Sequence, residues 1–328
     1  MKKLSIFAFG VGAAMLASCS GKASAAAEAQ ATAGDSLPVV YFIRDITPEN
    51  LVKIYNALPV KAQGKNVAVK ISTGESEKSN QLAPALIEPL VKLVNGTIVE
   101  CNTAYEGNRR YTADHLKTAA DHGYTAIADV DIMDADGDTA LVVNGGRHLT
   151  YDLVGKHWID YDFTVVLSHF KGHQMGGFGG ALKNISIGIA SADGKAWIHS
   201  AGKTRDAKEI WSNVAEQDDF IESMAEAAKA VVDHAGGNML FINVANNLSV
   251  DCDCNGDPAK PEIADIGIFA STDPVALDKA CVDMVFGLDD PKKEALVERI
   301  KSRHALGILD HGEELGVGSQ KYRLVELK

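Results

Sequence analysis

Between Val165 and Gly202 the chain sets His169, Lys171, His173, Lys183 and His199 around Gly176, Gly177, Gly179 and Gly180. Imidazoles carry protons near neutral pH and ligate metals, and a nearby ammonium steadies negative charge. The apolar run from Val165 reads as a buried strand. A helix from about Ala181 would aim its first amides at an anion across the glycine-rich turn, with Lys183 close by. The four glycines and Lys171 are therefore ligand-binding candidates, and a phosphate, carboxylate or nucleotide-like group fits them. Neither the Walker nor the dinucleotide spacing is met, so no particular cofactor follows. The alternative is that the glycines only permit a tight turn. His169 and His173 would share a face if helical, but Gly172 makes a loop an equal reading.

A second constellation is Asp251-Cys252-Asp253-Cys254-Asn255-Gly256, with Glu262 completing the calcium-loop pattern. A strand precedes it and Pro258 and Pro261 interrupt it, unlike a helix-flanked calcium loop. Asp251, Cys252, Asp253 and Cys254, with His169 and His199, are candidate metal ligands; the thiols suit zinc or iron. A disulfide or a polar turn is the competing reading. Apart from Cys19, the cysteines are Cys101, Cys252, Cys254 and Cys281. Cys252 and Cys254 are too close for an easy mutual bridge, so either pairs with Cys101 or serves as a ligand.

The elements that must position these residues alternate. Strands are expected at Val39–Ile43, Val67–Ile71, Ile98–Glu100, Ala128–Met133, Met239–Val244 and Ile266–Ala270. Helices are expected from Pro48 (capped by Thr47), over Leu82–Val94, around His115–His122, from a capping box at Asp219 and Glu222 to His234, from Pro274, and over Pro291–His304. Tyr322–Leu327 would close the sheet. The expectation is an α/β fold: a mainly parallel sheet with helices on both faces, either one body or two lobes around one crevice. Residues just past strand C-termini face the ligand crevice of such folds, which makes Tyr105, Arg109 and Glu75 further candidates. His115 and His122 read as packing or surface residues, and the acidic turn Asp134–Asp138 as a backbone device.

The chain has 328 residues, 46% apolar content and a formal net charge of −12, or −14 without Lys2 and Lys3. Its length allows a sizeable core. The acidic balance, with only 6% aromatic residues, argues against nucleic acid as a partner. Lys2 and Lys3, the apolar run Leu4–Leu16 and Leu16-Ala17-Ser18-Cys19 form a short export leader. The pattern resembles the bacterial lipoprotein signal, which implies removal of residues 1–18, lipidation of Cys19 and, with Ser20 following, the periplasmic face of the outer membrane. Residues 19–36 read as a flexible tether and 37–328 as a single α/β domain. The lipid would be the only membrane contact.

The segments SHFKGHQMGGFGGALKNISIGIAS, WIHSAGK, DCDCNG and IGIFASTDPVALDKACVD together resemble the domain-of-unknown-function 362 family, from about Val39 to the C-terminus. Many of its members carry a ferredoxin-like insert between the positions of His199 and Asp219. This chain has a short connection there without the C-x2-C-x2-C-x3-C run, so no [4Fe-4S] cluster of that type is expected. The glycine-rich segment is also similar to the lactate racemase family in its spacing His173, Lys183, His199. That similarity implies proton transfer by His173, anchoring of a nickel-pincer cofactor by Lys183 and nickel ligation by His199. Where that family carries a further upstream histidine, this chain offers Tyr105 and Arg109.

The function expected is a His/Lys/Gly-rich crevice that binds a divalent metal ion or a small anionic molecule, with His173 and Lys183 as catalytic residues for proton transfer on a small acid. The competing expectations are a non-catalytic solute- or metal-binding lipoprotein and an electron-transfer accessory protein without its clusters.

Overall fold

Alternation along the strands assigns each face of one sheet to its own core. The computed structural model describes residues 37–328, so the expected leader, Cys19 and tether lie outside the described residues. Eight strands form this sheet: β1 (Val39–Ile43), β2 (Val67–Lys70), β3 (Gly96–Glu100), β4 (Val130–Ile132), β7 (Phe163–His169), β10 (Met239–Ala245), β11 (Gly267–Ser271) and β12 (Arg323–Glu326). A hairpin of β5 (Asp138–Val142) and β6 (Tyr151–Gly155), and a smaller one of β8 (Lys171–His173) and β9 (Gly177–Gly179), stand outside it. The sheet order is β12-β1-β11-β10-β7-β2-β3-β4, and only β11 runs against its neighbours. The sheet is thus mainly parallel.

Val165 and Leu167 of β7 point to one face, where they pack with α1 (Pro48–Ala57) and α2 (Pro84–Leu93) through Leu51, Ile54, Ile87 and Leu90. Val166 points to the other, with Phe241 and Phe269. That face is covered by α4 (Ala181–Ser186), α6 (Gln217–Ala235), α7 (Pro274–Gly287) and α9 (Gly307–Glu314). Strands apolar on both sides read as continuous hydrophobic runs because helices cover both faces. The remaining α-helices among the described residues are α3 (Thr112–Asp121), α5 (Ala192–His199) and α8 (Glu294–Ser302). Residues Leu37–Lys328 form one compact unit, and no helix among the described residues is long and apolar enough to cross a membrane.

Local chemistry sets the helix starts. Thr47 accepts from the Asn50 amide and Asp273 from that of Ala276, each followed by a first-turn proline. The second helix begins at Pro84 and not at Leu82, because proline suits the first helical position. Helix α6 begins at Gln217, so Asp219 lies inside it and the expected capping box does not form; Glu222 binds Arg147 and His148 instead. The β5–β6 hairpin, α5 and α9 are additions to the elements expected from the sequence: α5 has little amphipathic periodicity, and α9 is only eight residues long.

Candidate functional site

Chain order reverses between β2 and β7: β3 and β4 extend the sheet on one side, β10 on the other. In a parallel sheet the strand C-termini are uncovered at such a point and a crevice opens there. A cavity of about 340 Å³ occupies it. Lys70 ends β2, Glu100 ends β3 and His169 ends β7. The β8–β9 hairpin presents Lys171 and His173, α4 brings Lys183, α5 brings Lys195 and His199, and the loop after β10 brings Cys252, Asp253 and Cys254. Gly172 allows the hairpin to lie against that loop, since a Cβ there would sit 2.3 Å from the Val250 carbonyl oxygen.

Five lining side chains are cationic (Lys70, Arg109, Lys171, Lys183, Lys195) and two are carboxylates (Glu100, Asp253). A positive excess in a chain of net charge −12 is local and built. Glu100 receives Lys70 at 2.7 Å and Arg109 at 3.3 Å. Burial pushes its carboxyl pKa up, but the two cations outweigh burial and hold it at about 2. Asp253 accepts from His169 Nδ1 at 2.9 Å and Lys171 Nζ at 2.6 Å; against burial, these two partners hold it well below the usual carboxylate range. Lys195 donates to the Ala190 carbonyl at 2.6 Å. Lys183 has no anionic partner among the described residues. Burial, then the charges of Lys171, Lys70 and Lys195, bring its pKa down to about 7.

Backbone partners set the imidazole tautomers. His173 Nδ1 accepts the Gly176 amide at 2.8 Å and that of Met175 at 3.2 Å, so in the neutral ring the proton sits on Nε2. His199 Nδ1 donates to the Lys195 carbonyl at 2.7 Å, so its Nε2 carries a lone pair. Its ring stacks on Phe220 with centroids 4.7 Å apart. Burial, then Lys183, lowers the pKa of His173 strongly; burial outweighs the Lys195 hydrogen bond at His199 and brings it to about 4. One histidine thus offers an N–H donor and the other an acceptor.

The site differs from sequence expectation at several residues. The first amides of α4 do not await an outside anion: Ala181 and Leu182 donate to Asp278 at 2.7 and 2.9 Å. Gly180 lets that carboxylate approach, since a Cβ there would lie 2.4 Å from Asp278 Oδ1. Gly179 and Gly180 line the cavity; Gly176 and Gly177 serve the hairpin turn, with Gly177 at φ +74°. Both ring nitrogens of His169 are taken by oxygens, Nδ1 by Asp253 at 2.9 Å and Nε2 by the Asn246 carbonyl at 2.6 Å, so the ring is committed to structure and not to a metal. Asp251 turns to Arg299 and the Ala259 amide, away from Asp253, so the calcium-type carboxylates do not converge. Tyr105 and Arg109 reach the cavity but bind each other at 2.9 Å, and both bind Glu75.

Cys252 and Cys254 are joined to each other, with Cα atoms 5.2 Å apart, and Cys101 and Cys281 are free and buried. The short separation, expected to make a mutual bridge difficult, does not prevent it, because the turn at Asp253 brings the two Cα atoms within ordinary disulfide range. Closing three residues restricts the unfolded chain by only about 1.6 kcal/mol, against about 3 for a fifteen-residue loop. Both sulfurs and a ring nitrogen of His173 lie within 4.8 Å of one another, the grouping among the described residues nearest to a metal site.

Lys70, Glu100, Lys195 and Asp278 escaped sequence reading. A usable signal was present for Lys70 and Glu100, each a charge ending an otherwise apolar strand.

A profile of the family described as domain of unknown function (DUF362) matches residues 67–283. The chain belongs to that family. No curated protein matches the sequence significantly. Among solved structures, the lactate racemase apoprotein from Thermoanaerobacterium thermosaccharolyticum is 14% identical with a TM-score of 0.43, covering 75% of this chain and 56% of that one. A Thermotoga maritima protein is 14% identical with a TM-score of 0.41, covering 71% and 57%. The chain thus spans little more than half the length of either structure.

Proposed function

We propose that the crevice of this family member binds a small anionic molecule, a carboxylic acid being the best fit, and moves a proton on it. One observation carries the reading: Lys183 faces the cavity among four further cations with no carboxylate of its own. An anion seated there would restore the Lys183 charge. His199 Nε2 would accept a proton from the bound acid and return it, and His173 Nε2–H would donate a hydrogen bond to the acid's oxygen. The basicity of His199, lowered by burial, rises once a negative charge is beside it. Lys183 Nζ and His199 Nε2 also keep free the atoms through which a nickel-pincer group would be held; such a group would supply a polarising metal, and the proton handling described uses the chain's own residues.

The test is calorimetry with lactate and other small 2-hydroxy acids, and α-proton exchange in D2O followed by NMR. Binding with exchange supports the enzyme. Binding without exchange leaves a solute-binding protein, and no binding removes the reading.

A metal ion at His173, Cys252 and Cys254 is the second reading, favoured by their closeness. It needs the bridge reduced and the His173 proton moved off Nε2 against the Gly176 amide, whereas the anion reading needs neither. We also propose that the body is lipid-anchored through Cys19 at the periplasmic face of the outer membrane. The leader pattern supports this, and a disulfide is at home in an oxidising compartment. A Cys19→Ser chain that stays in the membrane fraction would remove that proposal.

A further inference from the structure

Three features of the Cys252–Cys254 bridge are unlike those of a structural cross-link. It closes only three residues. It lines the cavity, with the Cys254 end half-buried and the Cys252 end buried. The Cys254 sulfur lies 3.9 Å from His173 Nε2, the nitrogen whose hydrogen the Gly176 amide fixes in place. The backbone between the two sulfurs is clamped independently of the bond: Asp253 is held by His169 and Lys171, its carbonyl accepts the Glu75 amide at 2.9 Å, and the Asn255 amide donates to the Cys252 carbonyl at 2.9 Å. Sulfurs on a clamped backbone stay adjacent after the bond opens, so closure remains an intramolecular step.

We propose that Cys252 and Cys254 are a redox-active dithiol–disulfide pair that exchanges with low-molecular-weight thiols entering the crevice, and that His173 Nε2–H steadies the Cys254 thiolate. An external thiolate attacks the accessible Cys254 sulfur. The Cys252–Cys254 bond breaks, its electron pair leaves on Cys252 and a mixed disulfide forms on Cys254. A second external thiolate attacks the external sulfur of that mixed disulfide and releases Cys254 as a thiolate beside His173 Nε2–H. The two protons shed by the external thiols end on the protein sulfurs, and two thiols become one disulfide as the pair gains two electrons. The inference does not rest on the anion reading.

The experiment equilibrates the full chain with reduced and oxidised glutathione at varied ratios, then quenches, alkylates and maps thiols by mass spectrometry. Cys101 and Cys281, free and buried, report unfolding if they label. The expected result is a reversible transition of Cys252 and Cys254 together while Cys101 and Cys281 stay unlabelled. The Cys252→Ser variant should trap glutathione on Cys254, and Cys254→Ser should trap at least tenfold less on Cys252. In the reduced protein, His173→Ala should raise the pH midpoint of Cys254 alkylation by roughly one unit, with partial recovery in His173→Gln, which keeps an N–H donor. A bridge that never reduces, or reduces only as Cys101 and Cys281 label, overturns the proposal. Purified protein with both thiols free on a bound metal overturns it as well. An unmoved midpoint in His173→Ala removes the role of His173.

Discussion

His199 donates its Nδ1 hydrogen to the carbonyl of Lys195, one turn earlier on α5, at 2.7 Å. This bond fixes the ring's tautomer from a backbone atom that no side-chain change removes. The free Nε2 then belongs to the crevice. Replacement His199→Phe keeps a ring against Phe220 and deletes the lone pair. It should lower α-proton exchange on a bound 2-hydroxy acid by about a hundredfold or more. Stability should fall by about 0.5–1.5 kcal/mol for the lost ring hydrogen bond to Lys195. Exchange rates by NMR and urea unfolding separate the two effects.

Lys183 gives a pH signature. Burial and the neighbouring lysines bring its pKa down to about 7, so above that value the amine loses its proton. Lactate affinity, measured by calorimetry, should therefore fall about tenfold per pH unit above that value. Lys183→Arg should flatten the profile, since guanidinium stays charged. Lys183→Met should bind weakly throughout. For folding the sign is opposite: between about 7 and the unfolded lysine value of 10.5, the unfolded chain holds the extra proton. Lys183 thus makes stability rise with pH across that window, and Lys183→Met should abolish its share.

Asp253 neutralises the buried Lys171 and orients His169. Asp253→Ala should cost about 3–5 kcal/mol, because it leaves a buried charge without its partner. With its pKa held below the unfolded value, Asp253 contributes stability above about pH 4 that disappears as pH falls further. Urea midpoints of wild type and variant should converge on acidification.

Gly180 and Asp278 are coupled. A Gly180→Ala methyl would meet Asp278 Oδ1 at 2.4 Å, and should cost about 1–3 kcal/mol. Asp278→Ala frees the Ala181 and Leu182 amides and the Asn243 side chain, which donates at 2.7 Å. In that background Gly180→Ala should cost at least 1 kcal/mol less, as a double-mutant cycle would measure.

Much of the fold is legible along the chain because its signals are local. Val67–Lys70, Val165–His169 and Met239–Ala245 are apolar runs at strand length, and Thr47-Pro48 and Asp273-Pro274 start helices by their own side chains. The short α5 and the β5–β6 hairpin escaped because their stability comes from what they pack against. One convergence was legible too: His173, Lys183 and His199 sit on one glycine-rich stretch, and all three line the candidate crevice.

The sequence by itself determined the alternation of strand and helix, the residue types that meet in the crevice and the leader pattern at Cys19, since each rests on near neighbours in the chain. Only the tertiary structure decided which of those residues are already spent. Asp278, 97 residues beyond Ala181, fills the helix N-terminus that looked open; Asp253, 84 beyond His169, takes that histidine out of metal chemistry. Charge pairing and hydrogen-bond satisfaction are properties of space and not of spacing. Among the described residues they leave Lys183 without an anionic partner, and the proposed anion site rests on that.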